Sequence, residues 1–411
     1  MNNEKKSNRL TDIITIIIFL CLIFIPAALF WITPDIKVSE DENRSLQQMP
    51  EFSLDNLISG KYTQNIGKYY ADQFPFRNAL VGAKTLFSYG FGINENKGAV
   101  IAKNGYLIQR YDKYSEKSIA EKSDDELGGD LTFDENMQNI KDNCGYINQF
   151  YENIIDLYPD INFTVAVPPR KIDVMTNKLP AFFPVDRHEK YFAELEKYIN
   201  KNIYFDLLDV LKQHNEEYIY YRTDHHWTTY GAYWGYYAAA KNMGITPYEL
   251  GRFNIEHAAS DFRGTLFSKT LNFRITPDVI QFYTLSCDTE NTTRLQINNG
   301  NEITEYDSLY LREYLDKKDK YAAFMGLNSP IMDVFTDVDN GKSLLIFKDS
   351  FAHCMIPFLA NHYSRITVLD MRYINTDIEE FVALGDYGEI LFVYSVTNFA
   401  EDSDLRKLAG N

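Results

Sequence analysis

The sequence predicts an α/β domain with a mainly parallel β-sheet, preceded by one transmembrane helix. Residues 13–32 form an uncharged apolar run of about the twenty residues that a bilayer-spanning helix needs. From Asn139 onward, short apolar runs alternate with segments of helical periodicity, a pattern typical of a parallel sheet with helices on both faces. With 45% hydrophobic residues in 411, the chain has enough apolar material for one large core or two smaller ones.

The apolar run is predicted to be an uncleaved membrane anchor. Three basic residues precede it, namely Lys5, Lys6 and Arg9. By the positive-inside rule, residues 1–12 form a cytoplasmic tail and residues 33–411 lie outside the membrane, in an extracellular or periplasmic space. A cleaved signal peptide is the alternative, but its apolar region is usually shorter and ends in a small-x-small site. Here Ala27 and Ala28 are followed by Leu, Phe and Trp.

Charge and cysteine content exclude several functional classes. The formal net charge is −17, so the protein should be repelled by nucleic acid, and no nucleic-acid partner is expected. Beyond the apolar run there are three widely spaced cysteines, Cys144, Cys287 and Cys354. This odd number forms neither a disulfide scaffold nor a CxxC metal site. No cofactor is expected.

The region between the anchor and the alternating segments contains three features. Residues 60–92 have helix-like apolar spacing. In residues 97–110, two apolar stretches flank Asn104-Gly105, which predicts a β-hairpin. Residues 112–135 are rich in Asp, Glu, Ser and Lys without a sustained apolar period, which predicts a surface insertion.

Polar residues follow each predicted strand of the sheet. The predicted strands are the apolar runs 161–167, 217–221, 343–347, 365–370 and 389–396. Ligands of open parallel sheets bind beyond the carboxyl ends of the strands. The residues at those ends include Arg170 and Lys171, Arg222 to His226, Lys348 to Ser350, Arg372 and Tyr373, and Asn398. If the strands are parallel, these groups share one edge of the sheet.

The stretch TDHHWT places an acid beside two histidines. In an extended backbone, residues i and i+2 point to the same side, so Asp224 can reach His226 while His225 points away. A carboxylate that holds an imidazole fixes its tautomer and stabilises the cation formed by a general base. The following helix is expected to begin at Thr228 or Thr229 and to end near Gly244. The structural alternative is that Asp224 and Thr228 are helix caps and the histidines are surface residues.

Ser350 is a candidate nucleophile. It lies between an apolar strand and an apolar helix, an arrangement that exposes a serine hydroxyl beside backbone N–H groups able to bind an oxyanion. Capping of that helix is again the alternative. A metal site is a further one, and its ligands would be Asp224, His225, His226 and either His353 or His257. Adjacent histidines point apart and no HxxxH pair occurs, so no metal is expected.

Together these motifs resemble the DHHW proteins of bacteria, which are related to the alginate O-acetylation proteins of the periplasm and, more distantly, to SGNH hydrolases. The resemblance covers nearly the whole chain, through ENRSL (42–46), DQFPFRN (72–78), KNGYL (103–107), TDHHWT (223–228), DFRGTLFSK (261–269), YAAFMGLNSP (321–330), KDSFAH (348–353) and LDMRY (369–373). It implies an SGNH hydrolase-like, three-layer α/β/α domain. It also implies a triad in which Ser350 is the nucleophile, His226 the base and Asp224 its partner.

One departure from the alginate O-acetylation relatives lies beside the serine. Those relatives commonly carry Gly-Asp-Ser where this sequence has Lys348-Asp349-Ser350. The glycine and asparagine that help to form the SGNH oxyanion hole are matched by Gly326 and Asn328. Candidate substrate-binding or oxyanion residues are therefore Arg170, Lys171, Lys348, Asn328, Gly326, Arg372 and Tyr373.

The resemblance implies transfer or removal of an acyl group, most often acetyl, on a cell-envelope glycan or exopolysaccharide. Transfer is the preferred interpretation, because similar relatives work beside a polytopic membrane O-acyltransferase that supplies the acyl group. The expected partners are thus a cell-surface polysaccharide and a membrane-bound O-acyltransferase. A carbohydrate esterase with the same triad and a non-catalytic glycan-binding or scaffold protein remain alternatives.

Overall fold

The computed structural model describes residues 2–110, 133–183, 186–286, 292–300 and 302–409. The chain folds into two compact units. The first consists of Met1–Ile93 with Phe267–Phe273, and the second of Asn94–Leu266 with Arg274–Asn411.

The first unit begins with the apolar helix. Its elements are α1 (Asn2–Ile32), β1 (Val38–Ser39), β2 (Arg44–Ser45), α2 (Leu54–Ile58), α3 (Lys61–Asp72) and α4 (Arg77–Gly90). Among the described residues, one helical stretch, Arg9–Ile32, is long and apolar enough to cross a membrane. The helical spacing predicted over residues 60–92 corresponds to two helices, α3 and α4. Pro75 separates them, because proline and the residue before it disfavour a continuous helix.

Ion pairs connect two sequence motifs of the first unit. The Arg44 guanidinium contacts the Asp72 carboxylate, with Nη2 at 2.6 Å from Oδ1, and Arg77 pairs with Glu42. Glu42 and Arg44 belong to ENRSL, whereas Asp72 and Arg77 belong to DQFPFRN. These two motifs therefore fold against each other after the apolar helix.

The second unit begins with a small antiparallel sheet. Its strands are β3 (Glu95–Asn96), β4 (Ala99–Ile101) and β5 (Leu107–Gln109). The turn between β4 and β5 contains Asn104 at φ 58° and Gly105 at φ 74°, the left-handed conformation for which these residue types are suited. The predicted hairpin is confirmed. Of the predicted insertion 112–135, residues 112–132 lie outside the described residues, and residues 133–135 are the first turn of helix α5 (Phe133–Leu157).

The remaining elements of the second unit follow in chain order. The strands are β6 (Asn162–Ala166), β7 (Tyr204–Phe205), β8 (Phe253–Phe262), β9 (Asp278–Leu285), β10 (Thr293–Asn298), β11 (Ile303–Tyr306), β12 (Ile331–Thr336), β13 (Ser343–Lys348), β14 (Arg365–Leu369) and β15 (Glu389–Val393). The α-helices are α6 (Lys171–Val174), α7 (Asp186–Tyr198), α8 (Leu207–Lys212), α9 (Thr229–Asn242), α10 (Thr265–Thr270), α11 (Phe351–Leu359) and α12 (Val396–Glu401). Helix α10 extends into the segment 267–273 of the first unit.

The main sheet is mixed. Within the described residues, eight strands form it in the order β11-β10-β12-β14-β13-β15-β6-β7. The five strands from β14 to β7 are parallel to one another. The other three add antiparallel pairings, β12 with β14, β10 with β12 and β10 with β11. The α/β class is confirmed. The prediction of a mainly parallel sheet did not include the antiparallel pairings of β10, β11 and β12. Parallel neighbours need a long crossover connection, and no helix of crossover length separates these three strands in the chain.

Two hydrophobic cores lie on opposite faces of the sheet. Successive strand residues point to opposite faces, and in β13 Leu344 and Ile346 belong to one core whereas Leu345 and Phe347 belong to the other. Helices α9 and α11 contribute to the first core. Helices α5, α7 and α12 contribute to the second. We call the face of the sheet that carries α9 and α11 the α11 face.

Candidate active site

The polar ends of four parallel strands meet at one edge of the sheet. In register, Phe347 lies beside Leu369, Lys348 beside Val393, and Val393 beside Ala166. The residues after β13, β14, β15 and β6 therefore leave the sheet at the same edge, as predicted. Ser350, which directly precedes α11, is one of these residues.

The segment with the two histidines reaches this edge in a different way. Residues 217–221 were predicted to be a strand, but Tyr220 forms only an isolated antiparallel bridge with Trp227. The Tyr221 N–H donates to the His226 carbonyl at 3.2 Å, and the Thr228 N–H donates to the Ile219 carbonyl at 2.9 Å. The chain therefore doubles back on itself, because these bonds are made within the segment rather than to the sheet. We call residues 218–228 the histidine loop.

The tip of the histidine loop forms a hydrogen-bonded chain with Ser350. The Ser350 Oγ lies 2.7 Å from the Nε2 atom of His226, and the Nδ1 atom of His226 lies 2.7 Å from the Oδ1 atom of Asp224. Because an ionised carboxylate only accepts hydrogen bonds, Nδ1 carries the proton, and Nε2 is left to accept the proton of the serine hydroxyl. We call these three side chains the triad. Their arrangement suits general-base activation of a serine nucleophile.

Asp224 is held in the orientation that the imidazole needs. Its Oδ1 atom also accepts the His226 N–H at 3.0 Å, and its Oδ2 atom accepts the Thr265 N–H at 2.8 Å and the Thr265 hydroxyl at 3.0 Å. Burial would raise the pKa of Asp224, but the His225 and His226 imidazoles and the accepted hydrogen bonds hold this pKa well below its ordinary value. The carboxylate is therefore ionised at neutral pH and can stabilise an imidazolium.

Two buried charged residues support the histidine loop, and their roles were missed from the sequence. The Asp278 carboxylate accepts the backbone N–H groups of Arg222 and Thr223, both at 2.7 Å. The Lys171 ammonium donates to the main-chain carbonyl of Asp224 and, at 2.8 Å, to that of Leu107. Asp278 gave no signal, because it is a single acid in no recognisable pattern.

A tyrosine packs against the His226 imidazole. The Tyr321 ring is nearly parallel to the His226 ring, with a centroid separation of 3.9 Å and an interplanar angle of 7°. Its hydroxyl donates to the Ser350 carbonyl at 3.0 Å. Tyr321 thus contacts both the His226 ring and the backbone of Ser350. It lies in the motif YAAFMGLNSP, which the sequence singled out without assigning it a role.

The helix caps beside the triad are formed by other side chains. Ser350 is the residue before α11, but its hydroxyl makes no capping hydrogen bond. Asp349 accepts the Phe351 N–H instead, at 2.9 Å. Helix α9 is capped by Thr228, whose hydroxyl accepts the Gly231 N–H at 3.2 Å, and Gly244 follows its end at φ 76°. Asp224 therefore does not cap α9 and Ser350 does not cap α11, although Asp224 accepts the N–H of Thr265, the first residue of α10.

Two predicted binding residues are buried and do not face a ligand. The Arg170 side chain is 2% exposed and forms a bidentate pair with Asp173, at 2.9 and 2.8 Å. Lys171 is 3% exposed and supports the histidine loop. The reason is that the turn after β6 is covered by this loop, since the Tyr220 hydroxyl donates to the Pro169 carbonyl at 2.7 Å. Both residues are structural.

Of the other predicted residues, Gly326 and Arg372 make hydrogen bonds within the protein, whereas Tyr373 is exposed. The Gly326 N–H donates to the Ala322 carbonyl at 2.9 Å, so it is not an oxyanion donor, and its φ of 85° explains the glycine. Arg372 is half-buried and bidentate to Asp370, at 2.8 and 2.7 Å. Tyr373 is 47% exposed and lies at the edge of the sheet.

Lys348 and Asn328 are in direct contact. The Lys348 Nζ atom lies 2.8 Å from the Asn328 Oδ1 atom. Lys348 is buried, and Asn328 is half-buried. The predicted pair therefore comes together beside Ser350, although Lys348 itself is inaccessible to a substrate.

A metal ion would compete with the triad for its ligands. Asp224, His225 and His226 offer donor atoms that all lie within 4.8 Å of one another. However, both ring nitrogens of His226 are already engaged, by Asp224 and Ser350. The two further ligands considered from the sequence are not part of this group: the His353 Nε2 atom contacts Lys348, and the His257 Nε2 atom contacts Gln281.

Comparisons with known proteins agree with the motifs. Residues 188–369 match the family model described as DHHW protein, which confirms the resemblance. A DHHW family protein from Eubacterium siraeum has a similar structure, with a TM-score of 0.56 and 24% identity over 66% of this chain and 89% of that chain. PatB1 from Bacillus cereus is similar too, with a TM-score of 0.58 and 20% identity over 74% of this chain and 97% of that chain.

PatB1 was also solved with a sulfonyl adduct, and that structure has a TM-score of 0.56 to this chain. The similarities to the Eubacterium protein and to PatB1 establish a shared α/β fold with a large mixed sheet. A comparison with curated protein sequences found no match.

Proposed function

We propose that this chain, similar to DHHW proteins over residues 188–369, is a membrane-anchored, extracytoplasmic O-acyltransferase that modifies a cell-envelope polysaccharide or exopolysaccharide, most often with acetyl. The observation that carries the proposal is the 2.7 Å separation of Ser350 Oγ and His226 Nε2. Ser350 is half-buried, whereas His226 is 6% exposed. The hydroxyl is therefore the accessible end of the triad.

The reaction proceeds in two displacement steps. In the first, Ser350 Oγ attacks the acyl carbonyl carbon while its proton moves to His226 Nε2. The bond to the leaving group then breaks, and the leaving group takes that proton from the imidazolium. In the second step, an acceptor hydroxyl of the sugar attacks the acyl-serine and gives its proton to His226. The serine oxygen then leaves and recovers the proton.

The similarity to SGNH hydrolases supports an oxyanion site next to Ser350, in a three-layer α/β/α domain. Among the described residues, no backbone carbonyl accepts the Ser350 N–H. The backbone N–H of a nucleophilic serine can itself stabilise the oxyanion, and this is the first donor in the proposal. The Asn328 side-chain amide is the second donor in this proposal. Each such donor is worth roughly 10²- to 10³-fold in rate.

The location and partners follow from the apolar helix. With residues 1–12 in the cytoplasm and residues 13–32, which belong to the apolar helical stretch Arg9–Ile32, crossing the membrane, the triad faces the outside, where envelope glycans are assembled. A membrane-bound O-acyltransferase supplies the acyl group in this proposal. The basic residues before the apolar run support this orientation.

A covalent labelling experiment tests the nucleophile. The full-length protein in detergent is incubated with p-nitrophenyl acetate, and the Ser350 peptide is expected to gain one acetyl group by mass spectrometry. A sulfonyl fluoride, chosen because PatB1 takes a sulfonyl adduct, should block this acetylation. Ser350→Ala should lose the adduct, whereas Ser364→Ala, a serine at the opposite edge of the sheet, should retain it. Acetylation of Ser350→Ala at the wild-type level would contradict the proposal.

The fate of the acetyl group separates the related functions. An acyltransferase should deacylate faster when an acceptor oligosaccharide is added, and the acetyl group should appear on the sugar. An esterase with the same triad would release acetate at a rate that the sugar does not change. A glycan-binding or scaffold protein would bind the oligosaccharide without forming the Ser350 adduct.

A further inference from the structure

We infer that Lys348 is a positioning residue that fixes the amide of Asn328 as an oxyanion donor. This inference rests on the proposed function. Lys348 does not touch the substrate, because its side chain is completely buried. It acts through the carbonyl end of the Asn328 side chain, which lies 2.8 Å from its Nζ atom.

The contact determines which way the amide points. A lysine ammonium donates three hydrogen bonds and accepts none, so Asn328 must present its Oδ1 atom to Lys348. The NH₂ group then faces away from Lys348 and remains a donor. A free asparagine side chain flips between two nearly isosteric orientations. The bond to Lys348 therefore selects the orientation in which a donor, rather than an acceptor, is offered to the other side.

Each of the three N–H donors of the Lys348 ammonium group has a hydrogen-bond acceptor. Besides Asn328, Nζ contacts the Asp370 carboxylate at 3.0 Å and the Nε2 atom of His353 at 2.8 Å. The His353 Nδ1–H donates to the Phe324 carbonyl at 3.1 Å, so its Nε2 atom is an acceptor. Burial and the nearby Lys348 charge keep the pKa of His353 well below its ordinary value, and the ring stays neutral in this role.

The charge of Lys348 is balanced within the same cluster. Asp370 is shared between Lys348 and Arg372, with its Oδ2 atom at 3.0 Å from the lysine and 2.7 Å from the arginine. A buried charge is tolerated only when it is paired and hydrogen-bonded. Because Asp370 keeps the Arg372 pair when Lys348 is replaced, an apolar substitution of the lysine leaves no buried carboxylate without a partner.

The cluster adjoins the nucleophile. Lys348 is the last residue of β13, and Ser350, two positions later, directly precedes α11. His353 follows Ser350 by three positions in α11, and residues three apart share one helix face. Tyr321, seven positions before Asn328, stacks on His226. The segment from Tyr321 to Asn328 therefore contacts both His226, through Tyr321, and Lys348, through Asn328.

A double-mutant cycle tests the inference. The variants are Lys348→Met, Asn328→Ala and the double variant, all as full-length protein in detergent, and the readout is the burst rate of Ser350 acetylation by p-nitrophenyl acetate. Asn328→Ala should slow acetylation by roughly 10²-fold, the effect of losing one oxyanion donor. Lys348→Met should slow it by about tenfold or more, in kcat with little change in KM, because the donor is misoriented in the transition state. In the Asn328→Ala background, Lys348→Met should have almost no further effect.

Full additivity of the two substitutions would overturn the inference, because it would mean that Lys348 acts on the fold and not through Asn328. An unchanged rate in Lys348→Met would overturn it as well. If Lys348→Met does not fold, Lys348→Gln, which keeps an N–H donor, is measured in the same cycle with the same expected non-additivity. Failure of wild-type Ser350 to acetylate would instead contradict the proposed function, so the two failures are distinguishable.

Discussion

At the scale of single residues, the site depends on charges that are buried but supported. Asp224 is 2% exposed, and an ionised carboxylate in that position would be costly without partners. Its two oxygens accept hydrogen bonds from His226 and from Thr265. Lys171 is buried beside it and donates to its carbonyl. The same few polar contacts thus keep the carboxylate charged and hold it in place for the imidazole.

Lys171 should make stability depend on pH. Burial lowers the pKa of Lys171 to about 7, although Asp278 and Asp224 act in the opposite direction. The unfolded lysine binds its proton up to roughly pH 10.4, so between pH 7 and pH 10 the unfolded state holds more protons than the folded state. The contribution of Lys171 to the free energy of unfolding should therefore increase as the pH rises from 7 to 10, and it is lost as the pH is lowered to 7. The slope is at most about 1.4 kcal/mol per pH unit.

Chemical denaturation of the full-length protein at pH 7, 8 and 9 measures this contribution. In Lys171→Met the slope assigned to Lys171 should be absent, so the wild type should gain stability relative to the variant as the pH rises. Lys317→Met, which replaces an exposed lysine, is the control and should follow the wild-type pH dependence. Parallel curves for the wild type and Lys171→Met would contradict the assignment.

At the scale of elements, the histidine loop and helix α9 form one rigid piece. The Trp227 indole donates to the Phe351 carbonyl at 3.0 Å, which ties the loop to the first turn of α11. A Cβ at Gly235 would lie 3.1 Å from the Trp227 ring, so the glycine allows the indole to pack closely on α9. The tryptophan of the DHHW motif is thus a structural link between base and nucleophile.

Gly264 belongs to the same assembly. It lies between β8 and α10, and a Cβ at this position would overlap the Asp224 carboxylate. Gly264→Ala should therefore displace Asp224 and slow acetylation of Ser350 by about 10²-fold, the usual effect of misplacing a catalytic group by about 1 Å. Gly251→Ala is the matched control, since nothing lies within 4 Å of its Cβ position. The same p-nitrophenyl acetate burst assay compares the two variants, and equal rates would show that Asp224 tolerates the shift.

At the scale of the whole molecule, the sheet explains where the site lies. Four neighbouring parallel strands end at one edge, and the triad is assembled there from the turn after β13 and the histidine loop. The two cores on the two faces of the sheet fix the strand ends. The first unit adds the apolar helix α1, whose window of highest hydropathy is entirely unburied. By its length and composition this helix is a candidate membrane anchor or signal sequence.

Membrane fractionation tests the anchor. The expressed full-length chain should stay in the membrane pellet after extraction at alkaline pH, with an intact amino terminus by mass spectrometry. Deletion of residues 2–33 should release the protein. External protease added to whole cells or spheroplasts should digest the part after residue 33. A mature protein that begins after residue 28, or a wild-type chain extracted without detergent, would identify the helix as a cleaved signal sequence.

The α/β class, the hairpin at Asn104-Gly105 and the residues of the triad could be predicted from the sequence. Hydrophobic periodicity reports which residues are buried along a strand or helix, and the spacing of Asp224 and His226 in an extended segment brings their side chains together by local geometry alone. The motif TDHHWT and the turn KDSFAH therefore made Ser350, His226 and Asp224 candidates, and the resemblance to DHHW proteins implied that they form a triad.

Only the tertiary structure decided which polar residues face the nucleophile and which support it. Arg170 and Lys171 were predicted to face a ligand at the edge of the sheet, but Arg170 is buried against Asp173 and the Tyr191 ring, and Lys171 is buried against the histidine loop. Asp278 and Lys348 acquired their roles from partners far away in the chain, Thr223 and Asn328. Local patterns describe burial and backbone conformation, whereas the identity of a buried charge's partners depends on which loops the sheet brings to the same edge.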